Sequence, residues 1–326
     1  MECQGRFTLV PGTKTHSYTS VNCEGRRFEM GKETSKLTTY SLLALLIVIW
    51  GVSWPIYKNG VNFMPPLYFA GVRAFLGGII LFIIAWKNRH ILQFKQNWVY
   101  YIISAILNIV LYLGIQTVGL IYLPGGLFSV LVYFQPVILG LLAWWWLGEP
   151  MTVWKILGLI IGFTGIVLVS IDGLMIHLSA IGVMLALGTA LSWAIGVVYV
   201  KKNRHNVDPY WMVVMQLVIG GAVLLTGGFM MEDVSDIVWN TDLIFSLIWG
   251  TTAGMAAAQV IYYKLMNEGE ASKVGAFTFL VPILAVFVSA IFLDEQITIN
   301  LFIGMLLVGV SIYLVTINKL PFEKSQ

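Results

Sequence analysis

The sequence predicts an all-α integral membrane protein of ten transmembrane helices, built as two inverted repeats of five helices. Its composition, a series of apolar segments and an internal repeat predict this class. The chain has 326 residues, of which 58% are hydrophobic and 11% are charged, whereas soluble domains carry about 25% charged residues. A soluble fold of this size cannot hide so much apolar surface, so we expect the chain to lie in a lipid bilayer.

A helix needs about 20 apolar residues to cross the hydrocarbon core of a bilayer, and ten runs in the chain approach that length. Their continuity excludes a transmembrane β-barrel, whose segments are shorter and alternate in polarity. The ten runs cover residues 40–57, 66–86, 98–116, 124–147, 153–171, 180–200, 210–231, 243–263, 273–293 and 299–317.

Both ends of the chain are polar and are expected to lie outside the membrane. Residues 1–36 are mixed and aperiodic, which predicts a disordered cytoplasmic tail, and they lack the pattern of a signal peptide. Met30 closely precedes the first membrane segment, so it is a candidate for the natural start of the protein. Residues 318–326 are expected to form a second cytoplasmic tail.

The sequence shows none of the residue clusters that mark a cofactor site, a metal site or an enzyme. Its two cysteines lie in the N-terminal tail and its four histidines are scattered, whereas a metal site needs clustered ligands. We find no phosphate-binding loop and no catalytic motif, so neither ATP use nor enzymatic activity is expected. The formal net charge of +3 gives no indication of nucleic-acid binding.

The positions of lysine and arginine predict the orientation in the membrane. With the N-terminus in the cytoplasm, ten crossings place nearly all of these residues on the cytoplasmic side; the exceptions are Lys58, outside, and Arg73, within a membrane segment. This asymmetry is the positive-inside rule. The sequence therefore predicts a multi-pass protein of the plasma (inner) membrane with both termini in the cytoplasm.

An internal repeat divides the membrane unit into residues 40–171 and 180–317. Five helices per copy is an odd number, so the second copy enters the bilayer from the opposite side. Inverted repeats of this kind are typical of secondary transporters, in which one repeat moves against the other around a central site. Two landmarks recur 143 residues later: Trp50 as Trp193, and Gly77-Gly78 as Gly220-Gly221. Two others recur 146 residues later: Pro136 as Pro282, and Glu149 as Glu295.

Three motifs carry a resemblance to a known family: Trp50-Gly-Val-Ser-Trp54, Gly71-Val-Arg-Ala-Phe75, and the two units running from proline to glutamate. The chain resembles the drug/metabolite transporter superfamily, and within it the EamA-type members with two EamA repeats. The resemblance covers about residues 40–317. It implies a ten-helix inner-membrane protein that exports or exchanges small metabolites, often amino acids or related compounds. Asp294 stands where the family has glycine, but Glu295 is retained.

Pro136 and Pro282 interrupt two apolar runs. Proline lacks an N–H group and clashes with the carbonyl four residues earlier, here Val132 and Thr278, which then need other partners in lipid. Two interpretations stay open. The helices either line a central cavity and flex during transport, or they carry only a packing kink.

Arg73 is the charge that the pattern places inside a membrane segment. A charge at that depth is costly and faces a cavity or a partner. We expect Arg73 either to bind helix-end carbonyls as a structural element or to pair with a substrate carboxylate. The first interpretation is favoured.

Glu149 and Glu295 follow the ends of their helices. An acid at such a position accepts N–H groups at the start of the next helix, where the helix dipole favours negative charge. Both are therefore predicted to be structural residues of helix junctions, with Thr152 and Thr298 as neighbouring caps.

Amide and aromatic side chains near the middle of the membrane are further candidates for the substrate path. Amides in hydrocarbon need partners, and amides with aromatic rings suit an amphipathic or zwitterionic metabolite. The candidates are Trp54, Tyr57, Gln116, Tyr133, Gln135, Trp193, Gln216, Gln259 and Tyr262. Gly158-x-x-x-Gly162 predicts a close-packing face, either within one repeat or between the protomers of a homodimer.

Together these observations predict a secondary transporter, an exporter or exchanger of a small organic metabolite such as an amino acid, that works by alternating access between two inverted repeats. Its partners are the lipid bilayer and a small-molecule substrate. A membrane scaffold without transport activity and a membrane-embedded enzyme are the alternatives. The substrate, the direction and the coupling ion are not encoded in any motif.

Overall fold

The computed structural model describes residues 36–122, 128, 131–169, 179–293 and 299–317, together with three short strands near the N-terminus. The strands β1 (Thr8–Leu9), β2 (Tyr18–Val21) and β3 (Arg27–Glu29) pair antiparallel in sequence order. The rest of residues 1–35, where a disordered tail is predicted, lies outside the described residues, as do Glu295, Thr298 and the tail 318–326.

The membrane unit consists of helices. Those of the first repeat are α1 (Lys36–Gly60), α2 (Pro66–Ala85), α3 (Phe94–Ala105), α4 (Tyr112–Tyr122), α5 (Gln135–Leu147) and α6 (Val153–Val169). Those of the second are α7 (Ala180–Lys202), α8 (Pro209–Met231), α9 (Thr241–Trp249), α10 (Ala258–Glu268), α11 (Ala271–Phe277), α12 (Leu280–Leu293) and α13 (Ile299–Thr316). A π-helical segment joins α3 to α4 (Ile106–Leu111), and another joins α9 to α10 (Gly250–Ala257).

Polar side chains define the helix starts in the second repeat. The side chain of Asp208 accepts a hydrogen bond from the backbone N–H of Trp211 at 2.9 Å, and Pro209 takes the first helical position of α8. Asn240 caps α9 in the same way. Such caps satisfy N–H groups that have no partner within the helix.

The all-α membrane class is confirmed. Within the described residues, six helical segments are long and apolar enough to cross a membrane, and four further apolar helices are shorter. The number of ten crossings stays a prediction. The six are Leu37–Tyr57, Pro66–Ile91, Phe94–Gly119, Ala180–Lys202, Pro209–Met231 and Thr241–Glu268.

The fourth and ninth apolar runs are broken rather than kinked. Pro136 lies at the start of α5, after a turn, and a turn at Thr278 separates α11 from α12 two residues before Leu280. The sequence predicts that the Thr278 carbonyl needs a partner from another helix, water or a substrate, but it does not, because the N–H of Val281 donates to it at 3.0 Å. Each break thus lies a few residues before its proline.

The matching helices of the two repeats run antiparallel to each other. Along α2, Gly71 faces Leu225 of α8, and Gly78, which comes later in α2, faces Val218, which comes earlier in α8. The approach is close, since a Cβ at Gly78 would lie 2.7 Å from the backbone nitrogen of Val218. Gly221, the repeat counterpart of Gly78, faces Phe75 in return, so the crossing is symmetric. This geometry is that of inverted repeats.

The Gly158-x-x-x-Gly162 face packs within the chain, between the repeats. A Cβ at Gly158 would lie 2.9 Å from the carbonyl oxygen of Ser311 in α13, and Gly162 also faces Ser311. Gly165 faces Gly304, earlier in α13. Helices α6 and α13 are therefore a second antiparallel pair of repeat counterparts. The sequence predicts contact within one repeat or between protomers, whereas the observed partner is the other repeat of the same chain.

Candidate functional site

A cavity of about 90 Å³ lies between the two repeats. Both repeats contribute to its wall, which carries six aromatic side chains and five other polar or charged ones. That volume is small beside the roughly 300–1,000 Å³ of sites that enclose drug-sized ligands. The lining residues are Trp50, Ser53, Trp54, Tyr57, Arg73, Tyr112, Leu113, Gln116, Val132, Tyr133, Gln135, Trp193, Gly254, Met255 and Gln259.

The cavity reaches towards the end of the bundle where α2 begins. Arg73 lies seven residues after the start of α2 and Tyr57 three residues before the end of α1. At 1.5 Å per residue, they are about 10 Å and 5 Å from that end. We call it the Glu232 end, because the carboxylate of Glu232 accepts hydrogen bonds there from the N–H groups of Leu67 and Tyr68 at 2.8 and 3.0 Å.

Arg73 is held by its own helix and by aromatic rings. Its Nε donates to the carbonyl oxygen of Phe69 at 3.1 Å. Its guanidinium carbon lies 3.9 Å from the ring centre of Tyr57 and 4.3 Å from that of Phe69. These cation–π contacts replace part of the lost hydration. The side chain is only 5% exposed. Arg73 thus bonds to a backbone carbonyl of its own helix and also lines the cavity.

Four buried polar atoms of wall residues have no hydrogen-bond partner among the described residues: Arg73 Nη1, Trp193 Nε1, Gln135 Oε1 and Gln259 Oε1. A buried polar group without a partner costs about 1–3 kcal/mol. One charged donor, one indole donor and two neutral acceptors therefore belong to the same cavity wall. Such a set can bind a molecule that presents both an acceptor, such as a carboxylate, and a donor, such as an ammonium group.

Aromatic rings close the cavity near the middle of the bundle. Trp50 and its repeat counterpart Trp193 meet edge to face, with ring centres 6.1 Å apart. Tyr262 packs against both, at 5.0 and 5.4 Å. Closer to the Glu232 end, the Trp54 Nε1–H donates to the Tyr133 hydroxyl at 3.1 Å, which links α1 to the segment before α5.

The structure brings some of the predicted site residues together and leaves others outside. Trp54, Tyr57, Arg73, Gln116, Tyr133, Gln135, Trp193 and Gln259 line the cavity, whereas Pro136, Gln216, Tyr262, Thr278 and Pro282 do not. Tyr262 lies behind the tryptophans as part of the aromatic layer.

Gln216 is the repeat counterpart of Arg73, 143 residues later, but it lies in a separate buried polar cluster. Its Oε1 accepts hydrogen bonds from Ser104 at 2.6 Å and from Asn108 at 3.2 Å. The cluster joins α3 and its π-helical segment to α8. The two copies have therefore diverged at this position, one towards a charge in the cavity and the other towards interhelical contact.

Several wall residues are not among the site residues predicted from the sequence. Ser53 bonds to the carbonyl of Ile49 and accepts from the indole of Trp249, and Gly254 lies against the Tyr57 hydroxyl. Tyr112 packs on Trp193 at 4.4 Å. A signal exists for two of them, because Trp50 and Ser53 lie in the motif Trp50-Gly-Val-Ser-Trp54 and Trp50 also recurs as Trp193 in the repeat.

At the other end of the bundle, Glu149 joins the two repeats. Its Oε1 accepts from the Ala271 N–H at 2.7 Å and from Lys201 Nζ at 2.8 Å. Its Oε2 accepts from the N–H and the hydroxyl of Ser272, at 3.2 and 2.9 Å. Gly148, with φ of +69°, ends α5 and turns Glu149 towards these groups. Glu149 thus caps α11 in the other repeat, not the next helix, which Thr152 caps through the Lys155 N–H at 3.3 Å.

This environment controls the ionisation of Glu149. Burial by itself raises the pKa of a carboxyl group, but the Lys201 ammonium and the donors of Ala271 and Ser272 outweigh that effect. They hold the pKa of Glu149 below its ordinary value. The carboxylate therefore stays charged at neutral pH, as a helix-capping group requires.

The sequence matches one family model twice. The EamA-like transporter family model covers residues 37–171 and 180–317, which are the two repeats of the fold. One solved structure superimposes with a TM-score of 0.75 at 14% sequence identity, over 87% of this chain and 98% of that one. At that identity the similarity shows a shared fold and no more.

Two similar proteins span nearly the same length. An uncharacterized transporter of Bacillus subtilis, YvbV, is 47% identical over 87% of this chain and 93% of its own. A protein of Escherichia coli named as a probable amino-acid metabolite efflux pump is 25% identical over 84% of this chain and 93% of its own.

Proposed function

The chain belongs to the EamA-like transporter family, and on this premise we propose that it is a secondary transporter of a small zwitterionic metabolite of the amino-acid class. The substrate binds in the cavity around Arg73 and crosses the membrane by alternating access between the inverted repeats. The observation that carries the proposal is a group of polar atoms in the wall that lack partners within the described part of the chain, above all Arg73 Nη1, Gln135 Oε1 and Gln259 Oε1.

The chemistry of these atoms favours a zwitterion. A carboxylate accepts from the free Nη1 of Arg73, and a charge-assisted bond of this kind is about twice as strong as a neutral one. An ammonium group donates to the oxygens of Gln135 and Gln259 and lies against aromatic faces, which attract cations. The name of the Escherichia coli relative, a probable amino-acid metabolite efflux pump, agrees with this substrate class and favours export.

The antiparallel packing of repeat counterparts supports alternating access. Two halves related by an inverted symmetry exchange their roles when one rocks against the other, which opens a central site to each side in turn. The small volume of the cavity supports a site that widens during this cycle. The absence of a phosphate-binding loop in the sequence supports transport without direct use of ATP. The asymmetry of lysine and arginine supports a plasma-membrane protein with cytoplasmic termini.

Flux into proteoliposomes tests the proposal. The purified protein is tested with a panel of radiolabelled amino acids and, as matched solutes, the amines and carboxylic acids that lack one of the two charges. We expect flux of at least one zwitterion and much weaker flux of its singly charged analogues. Equal flux of the analogues contradicts the substrate class. No flux above that of empty liposomes with any solute contradicts transport of this class and favours a scaffold.

A further inference from the structure

The charged residues around Glu149 form a junction between the repeats, at the end of the bundle opposite Glu232. In the part of the chain that the structure describes, two ion pairs cross from one repeat to the other: Glu149 with Lys201 at 2.8 Å, and Lys155 with Glu270 at 2.5 Å. Lys273 also pairs with Glu270, at 2.9 Å. We propose that this Glu149 junction is the gate that closes the cavity at that end, and that it must separate before substrate can pass there. The inference rests on the proposed transport function.

The position of the junction relative to the cavity supports a gate. Between them lies the aromatic layer of Trp50, Trp193 and Tyr262. Lys201 follows Trp193 by eight residues along α7, which is about 12 Å. The cavity approaches the Glu232 end but is separated from the Glu149 end by two successive layers, one aromatic and one ionic.

The contacts of the junction are arranged to prevent the repeats from separating. Lys201 Nζ also donates to the carbonyl of Gly269 at 2.5 Å, and Lys155 Nζ to that of Pro150 at 2.8 Å. Each lysine therefore binds an acid of the other repeat and a backbone carbonyl of its own repeat. Glu149 adds the start of α11. A rocking motion of one repeat against the other breaks the two ion pairs and the contacts of Glu149 to α11 together.

Ion pairs suit a gate that must open and close repeatedly. When an ion pair is buried, the loss of hydration free energy nearly equals the gain from electrostatic attraction. Its net contribution to the stability of the closed form is therefore small. When the repeats separate, water enters and hydrates Glu149 and Lys201. Removing one partner is different, because the remaining charge stays unpaired in the closed form but is hydrated in the open form. A single neutralising substitution therefore favours opening.

The comparison acid is Glu232, which also caps a helix of the other repeat but lies at the end of the bundle that the cavity approaches. Glu232→Gln removes a charge in a similar capping position. It is the matched control for Glu149→Gln, because both variants lose one carboxylate and keep the size of the side chain.

Thiol accessibility tests the proposal. In a chain carrying Cys3→Ser and Cys23→Ser, Ser53→Cys places one thiol on the cavity wall, and a membrane-impermeant maleimide is added from the Glu149 side of oriented vesicles. We expect Glu149→Gln to be labelled about tenfold faster than its parent, since loss of a buried charge partner shifts a two-state equilibrium at least that far. Glu232→Gln should be labelled like the parent. Equal labelling of the parent and a folded Glu149→Gln overturns the proposal.

If Glu149→Gln does not insert into the membrane, Lys201→Met replaces it. This variant removes the cation of the first bridge and leaves the Glu149 carboxylate without its ion-pair partner in the closed form. Faster labelling than in the parent supports the gate, and unchanged labelling overturns it. Solute flux is measured in the same vesicles. Absence of flux in the parent counts against the proposed function, whereas the labelling rates test the gate independently of any substrate.

Discussion

The central cavity and the Glu149 junction differ in whether their buried polar groups have hydrogen-bond partners. In the cavity, Arg73 Nη1, Gln135 Oε1 and Gln259 Oε1 lack partners among the described residues. At the junction, both oxygens of Glu149 accept two hydrogen bonds each. Unpaired buried groups lower stability and are useful only if a ligand pairs with them, whereas a saturated carboxylate holds helices in place. The difference separates residues for binding from residues for holding the repeats together.

The largest effect is expected from removal of the saturated acid. Glu149→Ala leaves Lys201 and the N–H groups of Ala271 and Ser272 without their acceptor, and removal of one partner of a buried pair costs about 3–5 kcal/mol. We expect a clear drop in the thermal transition of the detergent-solubilised protein. Gln259→Ala, which removes an unpaired group, serves as the control. A transition temperature of Glu149→Ala equal to that of the parent contradicts the assignment of a holding role.

Arg73→Ala should separate binding from stability. Loss of the cavity cation costs about 2–5 kcal/mol of interaction with a bound carboxylate, so the stabilisation of the protein by its substrate should disappear. The stability of the empty protein should change much less, because Nη1 already lacks a partner. Arg73→Lys should restore only part of the effect, since lysine offers a point charge instead of a planar fork. The measurement is the thermal transition with and without saturating substrate.

The junction should also respond to acid. Because the pKa of folded Glu149 lies below its ordinary value, its contribution to stability is fully present above the unfolded pKa, about 4.3. It is lost as the pH falls through the folded pKa. The groups that face it are Lys201 and Ser272, with Glu270 and Arg204 around Lys201.

We therefore expect the stability difference between the parent and Glu149→Gln to be constant from pH 7 to about pH 5 and to shrink below about pH 4. Thermal transitions of both proteins across this range measure the difference. A difference that grows as the pH falls would show that the carboxylate is not stabilised by its neighbours.

The smallest effect is expected from Gln259→Leu. Leucine removes an unpaired acceptor at similar volume, so the stability of the empty protein should stay the same or rise by about 1 kcal/mol. The KM for transport should rise, by about tenfold if one hydrogen bond to a charged group is lost. A fall in stability together with an unchanged KM would place Gln259 among the holding residues instead.

The sequence is enough to predict the membrane class, the two repeats and much of the cavity wall, because these follow from apolar runs and from recurring landmarks. Trp193, Tyr133 and Gln135 are found in this way. Gln216 is not separated from them, since an amide in an apolar helix reads the same whether it faces a cavity or bonds to Ser104 and Asn108.

The partners of Glu149 show a second limit. A capping role can be predicted from its place after α5, but the helix that it caps is set by how the repeats pack, and α11 is over 100 residues away. The breaks before Pro136 and Pro282 are a similar case. A proline predicts an interruption, and the turn at Thr278 depends on local hydrogen bonds that the sequence pattern does not specify.

The central claim is that the charge of Arg73, and not its repeat counterpart Gln216, binds the transported molecule. Counterflow of a radiolabelled amino acid in proteoliposomes tests it directly, with Arg73→Ala and Gln216→Ala compared at equal amounts of inserted protein. We predict that counterflow is abolished in Arg73→Ala and is largely kept in Gln216→Ala. Counterflow that survives in Arg73→Ala at the rate of the parent would contradict the claim.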